Sequence, residues 1–330
     1  MNHRHSETSE LDGHDDSQGR GHAGHRHGVA ADADRKWLLI ALGLIVAFMA
    51  AEVVVGLAAG SLALLSDAAH MLTDAASIML ALLAMRLAAR PARGGYTYGL
   101  KRAEILSAMA NGTTLLVLSV WLAVEAIRRL FAPPDVAGGL VLITALVGVA
   151  VNLAATWALS KANRSSLNVE GAFQHILTDL FAFIATVIAG IVMVTTGFLR
   201  ADAIASLVVV VLMVKAGIGL VRDSARIFLE AAPAGLSPDK VGGQMASVDH
   251  VTEVHDLHIW EITSGQSALS AHVLVASNAD CHHIRGKIEN LLRETHQITH
   301  TTLQVDHADA ATDAHCDDAH GPIHLSPPKP

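Results

Sequence analysis

The stretch Leu62–Leu87 reads LALLSDAAHMLTDAASIMLALLAMRL, and it combines a membrane-spanning length with ionisable side chains in its first half. Those side chains are Asp67, His70 and Asp74. About 20 apolar residues in a helix cross the hydrocarbon of a bilayer. An ionisable group inside such a helix is costly enough to be a functional candidate by default. We therefore predict that this stretch is a transmembrane helix that carries a functional site.

A second apolar stretch, Val169–Thr196, repeats the pattern. HMLTD at 70–74 and HILTD at 175–179 differ at one position. His and Asp four residues apart project from the same face of a helix. Two such pairs offer two nitrogens and two oxygens, which is a tetrahedral set for a divalent cation such as Zn2+. Because the set is shared by two helices, it can open when they move, as a transporter requires.

The alternative is that each His–Asp pair is a hydrogen-bonded brace between helices. Between residues 37 and 231, however, the chain has no histidine besides the two in the pentapeptides. That concentration favours a metal site, and the predicted ligands are His70, Asp74, His175 and Asp179.

Composition extends the membrane prediction to the whole chain. Of 330 residues, 52% are hydrophobic and 16% are charged, whereas soluble domains carry about a quarter charged residues. This excludes an ordinary soluble enzyme. The net charge of −8 argues against a nucleic-acid partner, and two cysteines exclude a disulfide-rich scaffold. Six apolar stretches predict six transmembrane helices: Trp37–Ala59, Leu62–Leu87, Ala103–Leu130, Gly138–Ser160, Val169–Thr196 and Asp202–Val221.

Charge distribution and patterning then set the orientation and the domains. If the N-terminus is inside, the inner segments hold eleven Lys and Arg residues and the outer segments hold three. The positive-inside rule therefore predicts cytoplasmic termini in a plasma (inner) membrane protein. Beyond the helices, alternating strands and one amphipathic helix predict a small α+β domain. The predicted domains are a disordered His-rich tail over 1–34, a six-helix transport domain over 35–231, an α+β domain over 232–308 and a disordered tail over 309–330.

The chain resembles the cation diffusion facilitator family, zinc-transporting type. The resemblance covers about residues 35–308, and it rests on the two pentapeptides, on 60–70, on 96–106 and on 255–260. It implies a metallochaperone-like (ferredoxin-like) cytoplasmic domain, a homodimer, and export of divalent metal in exchange for protons. It also implies that the four pentapeptide ligands bind the transported ion. His at both first positions resembles the zinc-preferring members, and imidazole suits Zn2+.

Further candidates lie beside the first pentapeptide and in the α+β domain. Asp67, about one turn before His70, is interpreted as a hydrogen-bond acceptor behind the ligands, a proton carrier or a helix-end residue that faces water, rather than as a ligand. The resemblance also implies a regulatory metal site in the cytoplasmic domain, with the candidate ligands His255, His272, Asp306 and one of the neighbours His282 and His283. Gln304 stands where some members have His, which argues against a fuller two-metal site. The alternative is that this domain binds no metal and only dimerises.

Two functions remain open from sequence. In the first, Zn2+ displaces protons from the four ligands, because ligands bind metal deprotonated and histidine titrates near neutral pH. In the second, the protein is a membrane-anchored metal sensor that binds zinc without transporting it. We predict no enzyme, because a catalytic zinc keeps an open water position. No GxxxxGK[ST] motif is present, so no nucleotide is expected.

Overall fold

Six long helices come first in the chain, and a small domain follows. The computed structural model describes residues 27–59, 62–132, 138–198, 200–309 and 321–327. The long helices contain 22 to 33 residues each, so each is about 33 Å or longer and can cross a bilayer. They are α1 (His27–Ala59), α2 (Leu62–Ala88), α3 (Ala103–Phe131), α4 (Gly138–Leu159), α5 (Leu167–Thr196) and α6 (Ala201–Phe228).

The outer surface of these helices is apolar. Trp121, Ile143, Val194 and Val211, on four different helices, are 64 to 66% exposed, which is typical of a surface that faces lipid. Among the described residues, four helical segments have both the length and the composition of a membrane span: Asp34–Val54, Ala103–Phe131, Leu167–Thr196 and Ala203–Phe228. Each predicted stretch corresponds to one helix, although α6 ends seven residues later than predicted.

The first helix corrects the predicted N-terminal tail. Residues 1–34 were expected to be disordered, but α1 begins at His27. The extension contains Ala30, Ala31 and Ala33, and alanine has the highest helix propensity. The helix therefore continues beyond the apolar stretch. The earlier histidines lie outside the described residues.

Four of the helices form a bundle, and the other two pack beside it. The buried core of the bundle takes side chains from α1, α2, α4 and α5, such as Leu38, Ala75, Ala155 and Ile176. Helix α3 lies along α6, and both contact α5. A Cβ added at Gly217 of α6 would lie 2.9 Å from the carbonyl oxygen of Gly112 on α3. This close approach therefore requires glycine.

The C-terminal domain is an α+β fold. It contains α7 (Pro238–Ala246), β1 (Val251–Thr263), β2 (Gln266–Val275), α8 (Cys281–His296) and β3 (His300–His307). Strands β1 and β2 are antiparallel, and β2 and β3 are parallel. Both helices contribute to its buried core, with Met245 from α7 and Ile288 from α8. Ser237 caps α7 and a proline follows it.

The C-terminal tail also differs from its prediction. Residues 309–330 were expected to be disordered, but β4 (His324–Leu325) pairs antiparallel with β1 at Glu253 and Val254. The sheet order is therefore β3-β2-β1-β4. This pairing satisfies backbone groups at the free edge of β1. A two-residue strand is too short to give a periodic signal in the sequence.

The turn between β1 and β2 contacts the helical bundle. The Thr263 hydroxyl donates to the Lys101 carbonyl (3.2 Å), and Lys101 Nζ donates to Gln266 Oε1 (2.6 Å). The Leu167 N–H donates to Ser264 Oγ (3.1 Å). Since Lys101 precedes α3 and Leu167 begins α5, the C-terminal domain lies at the end of the helical domain where α3 and α5 start.

Candidate metal centre

Three of the predicted ligands meet between α2 and α5. Asp74, His175 and Asp179 each offer a ligand atom, and these atoms all lie within 4.8 Å of one another. His175 Nε2 lies 2.9 Å from Asp74 Oδ1 and 3.9 Å from Asp179 Oδ2. All three residues are buried, with at most 5% of each exposed. Within the described residues, this is the only such group of three or more His, Cys, Asp or Glu side chains.

The fourth predicted ligand belongs to the same helix as Asp74. His70 lies in α2, four residues before Asp74, so its backbone is one turn away. Its side chain and that of Asp67 lie outside the described residues. The participation of both residues therefore stays a prediction.

Local contacts hold the two helices in this register. The Asn168 side chain of α5 donates to the Ala81 carbonyl of α2 at 2.9 Å, and Asn168 is fully buried. The hydroxyls of Ser77 and Thr178 bond to carbonyls of their own helices, so neither competes for the site. Small buried residues such as Ala75 and Ala172 let the helices approach closely.

The charges of this group favour a divalent cation. When both carboxylates are ionised and the imidazole is neutral, the three side chains carry a charge of −2. A buried charge of that size is costly in hydrocarbon unless it is compensated. A divalent cation compensates it fully, and the mixed nitrogen and oxygen ligands suit Zn2+ and similar borderline ions.

The candidate ligands of the C-terminal domain are only partly brought together. His255 and His272 face each other across β1 and β2, with ring centroids 5.4 Å apart. Asp256 is their neighbour, because Asp256 Oδ2 lies 4.0 Å from His272 Nε2 and Oδ1 lies 3.0 Å from His258 Nε2. Sequence reasoning did not select Asp256. Its φ of 51° at an irregularity of β1 turns it toward the histidines in a way that strand alternation does not predict.

The remaining predicted ligands lie elsewhere. Asp306 is on β3, where it accepts a hydrogen bond from Gln304 at 2.9 Å. His282 and His283 are exposed in the first turn of α8, where their backbone N–H groups donate to Asp280. The bond from His283, above all, lowers the pKa of the Asp280 carboxyl. Among the described residues, His282, His283 and Asp306 form no group of three potential ligands with the pair His255–His272.

A buried group of potential metal ligands shared by two membrane helices is typical of one class of protein, namely transporters that move a metal ion across a bilayer. The chain belongs to the cation efflux family. Residues 38–229 match its transmembrane domain, and residues 234–308 match the cytoplasmic domain of cation efflux proteins. The protein is therefore a membrane transporter with a cytoplasmic C-terminal domain, and not an enzyme.

Three curated relatives agree with this assignment. The chain is 36% identical to the cadmium, cobalt and zinc/H(+)-K(+) antiporter of Bacillus velezensis, over 86% of this chain and 92% of the relative. It is 34% identical to the zinc transporter ZitB of Escherichia coli, over 84% and 88%. It is 36% identical to the metal cation efflux system protein CzcD of Cupriavidus metallidurans, over 86% and 89%. All three relatives are named for the movement of metal cations.

Proposed function

We propose that the protein exports Zn2+ from the cytoplasm in exchange for protons. The observation that carries the proposal is the convergence of Asp74, His175 and Asp179 at buried positions of two membrane helices. The relatives named for zinc transport and for H(+) antiport support the choice of cargo and of counter-ion. His70 completes a tetrahedral set from one turn away on α2.

Proton exchange follows from the chemistry of the ligands. Carboxylates and imidazoles bind either a proton or the metal, so binding of Zn2+ releases protons. The site therefore couples the two flows if it binds metal when it is open to the cytoplasm and binds protons when it is open to the other side of the membrane. We also propose that the N-terminus is cytoplasmic and that the protein is a homodimer through its C-terminal domain.

The cytoplasmic domain supplies a second, regulatory metal site in this proposal. His255 and His272 provide two nitrogens, and Asp256 provides a carboxylate within 4.0 Å of His272. His282, His283 and Asp306 are proposed as ligands only after a rearrangement or from a second copy of the domain. Metal binding to the purified protein after His272→Ala, compared with His300→Ala on the exposed start of β3, tests this assignment.

The test of transport is zinc flux into proteoliposomes with and without an imposed pH gradient. We expect the zinc flux of the wild type to depend on the imposed pH gradient, and we expect Asp179→Ala to lose this flux. Glu125→Ala is the matched control, because it removes a carboxylate that pairs with Arg129 on the exposed face of α3. His70→Ala is expected to weaken zinc affinity by about tenfold or more.

Each other outcome has a definite meaning. Zinc flux that is the same with and without the pH gradient contradicts proton exchange but is still consistent with zinc export. Equal flux in wild type and Asp179→Ala contradicts the ligand assignment. An absence of flux in both, with zinc still bound by the protein, supports a membrane-anchored sensor instead.

A further inference from the structure

A row of polar side chains runs along α3 toward the candidate metal centre. Glu104, Ser107 and Asn111 are three and four residues apart, so they share one face of the helix. Ser107 and Asn111 are each 2% exposed. In the part of the chain that the structure describes, neither Ser107 Oγ nor Asn111 Nδ2 has a hydrogen-bond partner. Since buried polar groups are nearly always bonded to protein or to ordered water, both atoms are candidates for binding water.

The row ends against α5, one turn from the metal centre. A Cβ added at Gly171 would lie 3.6 Å from Asn111 Nδ2, so the backbone of Gly171 is adjacent to the Asn111 amide. His175 follows Gly171 by four residues and lies on the same face. Asn168 of α5 adds a third such atom, because its Oδ1 is buried and lacks a partner among the described residues. Two adjacent helices therefore present unpartnered polar atoms on the approach to His175.

The other end of the row reaches the cytoplasmic side. Glu104 lies in the first turn of α3, close to Lys101, which contacts the C-terminal domain. The Asp34 carboxylate of α1 interacts electrostatically with Glu104, so two acidic groups lie at this end. Seven residues of helix separate Glu104 from Asn111, which is about 10 Å. One further turn of α5 reaches His175, so the row covers roughly half of a 30 Å hydrocarbon layer.

We propose that Ser107, Asn111 and Asn168 line a hydrated access path from the cytoplasm to the candidate metal centre, and that the cation uses it. The proposal rests on the proposed transport function. Hydroxyl and amide groups hold water in an otherwise apolar region, and a divalent cation requires such a polar route. Glu104 attracts the cation to the start of the path.

Thiol accessibility tests the path without requiring transport. Ser107→Cys and Asn111→Cys are made in full-length protein in which Cys281→Ser and Cys316→Ser remove both native thiols. A membrane-impermeant cationic methanethiosulfonate is added to inverted vesicles, which present the cytoplasmic face. We expect both variants to react. Two controls on α3 are expected not to react: Ser119→Cys, which is buried two turns deeper and bonded to Leu116, and Val117→Cys, which is 63% exposed on the outer face.

Asn111→Leu tests whether the cation uses the path. This change keeps the side-chain size and removes the polar atoms. We expect the initial rate of zinc flux to fall by about tenfold, while zinc affinity of the detergent-solubilised protein stays at the wild-type value. Asp179→Ala, by contrast, loses zinc binding at the candidate metal centre, so failure of the proposed function is distinguishable from failure of the access path. Unreactive cysteines at positions 107 and 111 overturn the proposal, and so does wild-type flux in Asn111→Leu.

Discussion

His175 sets the balance of nitrogen and oxygen among the described ligands. Its Nε2 lies within 3.9 Å of both carboxylates, so its replacement by aspartate gives a set of oxygens in this part of the site. Oxygen ligands favour Mg2+ and Mn2+ over Zn2+. We expect His175→Asp to lower the transport preference for Zn2+ over Mn2+ by about tenfold, measured by competition between the two ions in proteoliposomes.

The control for this change is the neighbouring Thr178→Ala. The Thr178 hydroxyl is bonded to the Gln174 carbonyl at 2.7 Å, so its loss alters a buried polar group without altering a ligand. We expect its ion preference to equal that of the wild type. An unchanged preference in His175→Asp would show that the imidazole does not contact the transported ion.

Spacing within single helices accounts for most of what sequence could predict about the site. Asp74, His175 and Asp179 were predicted because each belongs to a His–Asp pair four residues apart, and such a pair projects from one face of a helix. The position of Asp256 could not be predicted in this way, because it depends on a positive φ inside β1. The polar row on α3 was also missed, because Ser107 and Asn111 are unremarkable until the contact with Gly171 is known.

At the level of helices, the contact between α3 and α6 depends on two glycines. A Cβ at Gly217 would lie 2.8 Å from Leu116 Cγ and 2.9 Å from the Gly112 oxygen, so the helices must separate to accept it. We expect Gly217→Ala to destabilise the protein by about 1–3 kcal/mol, seen as a lower melting temperature in detergent. Gly219→Ala is the control, because nothing lies within 4 Å of the added Cβ.

Capping of α8 gives a pH-dependent prediction. Asp280 accepts hydrogen bonds from the N–H groups of His283 and His282, and these bonds lower its folded-state pKa. A lowered pKa means that its stabilising effect is present above the unfolded value of about 3.9 and is lost as pH falls through the folded value.

We therefore expect thermal stability of the wild type to fall more steeply than that of Asp280→Asn below about pH 4. Asparagine caps a helix without titrating. Alanine does not cap it, so we expect Asp280→Ala to be less stable than the wild type at neutral pH. Thermal unfolding of the full-length protein, followed by circular dichroism across this pH range, measures both effects. Identical pH profiles for the wild type and Asp280→Asn would contradict the role of the charge.

For the whole molecule, sequence predicted the parts better than their assembly. The six membrane helices follow from the length of their apolar stretches, and the α+β domain follows from the periodicity of its apolar residues. The contact between the β1–β2 turn and the helices depends on hydrogen bonds between residues more than 90 positions apart, such as the bond from the Leu167 N–H to Ser264. No local pattern encodes such a pair. The same holds for β4, whose pairing with β1 depends on an edge that exists only after folding.

This contact links the cytoplasmic domain to the helix that carries His175 and Asp179. The Ser166 side chain does not cap α5, and the N–H of Leu167 is instead bonded to Ser264 Oγ at 3.1 Å. Loss of that bond exposes an amide of the first turn. We expect Ser264→Ala to raise hydrogen exchange at the start of α5 by about two- to tenfold, the equivalent of one hydrogen bond. Ser267→Ala is the control, because Ser267 lies within β2 opposite Glu261. Equal exchange in both variants would mean that the cytoplasmic domain does not hold the start of α5.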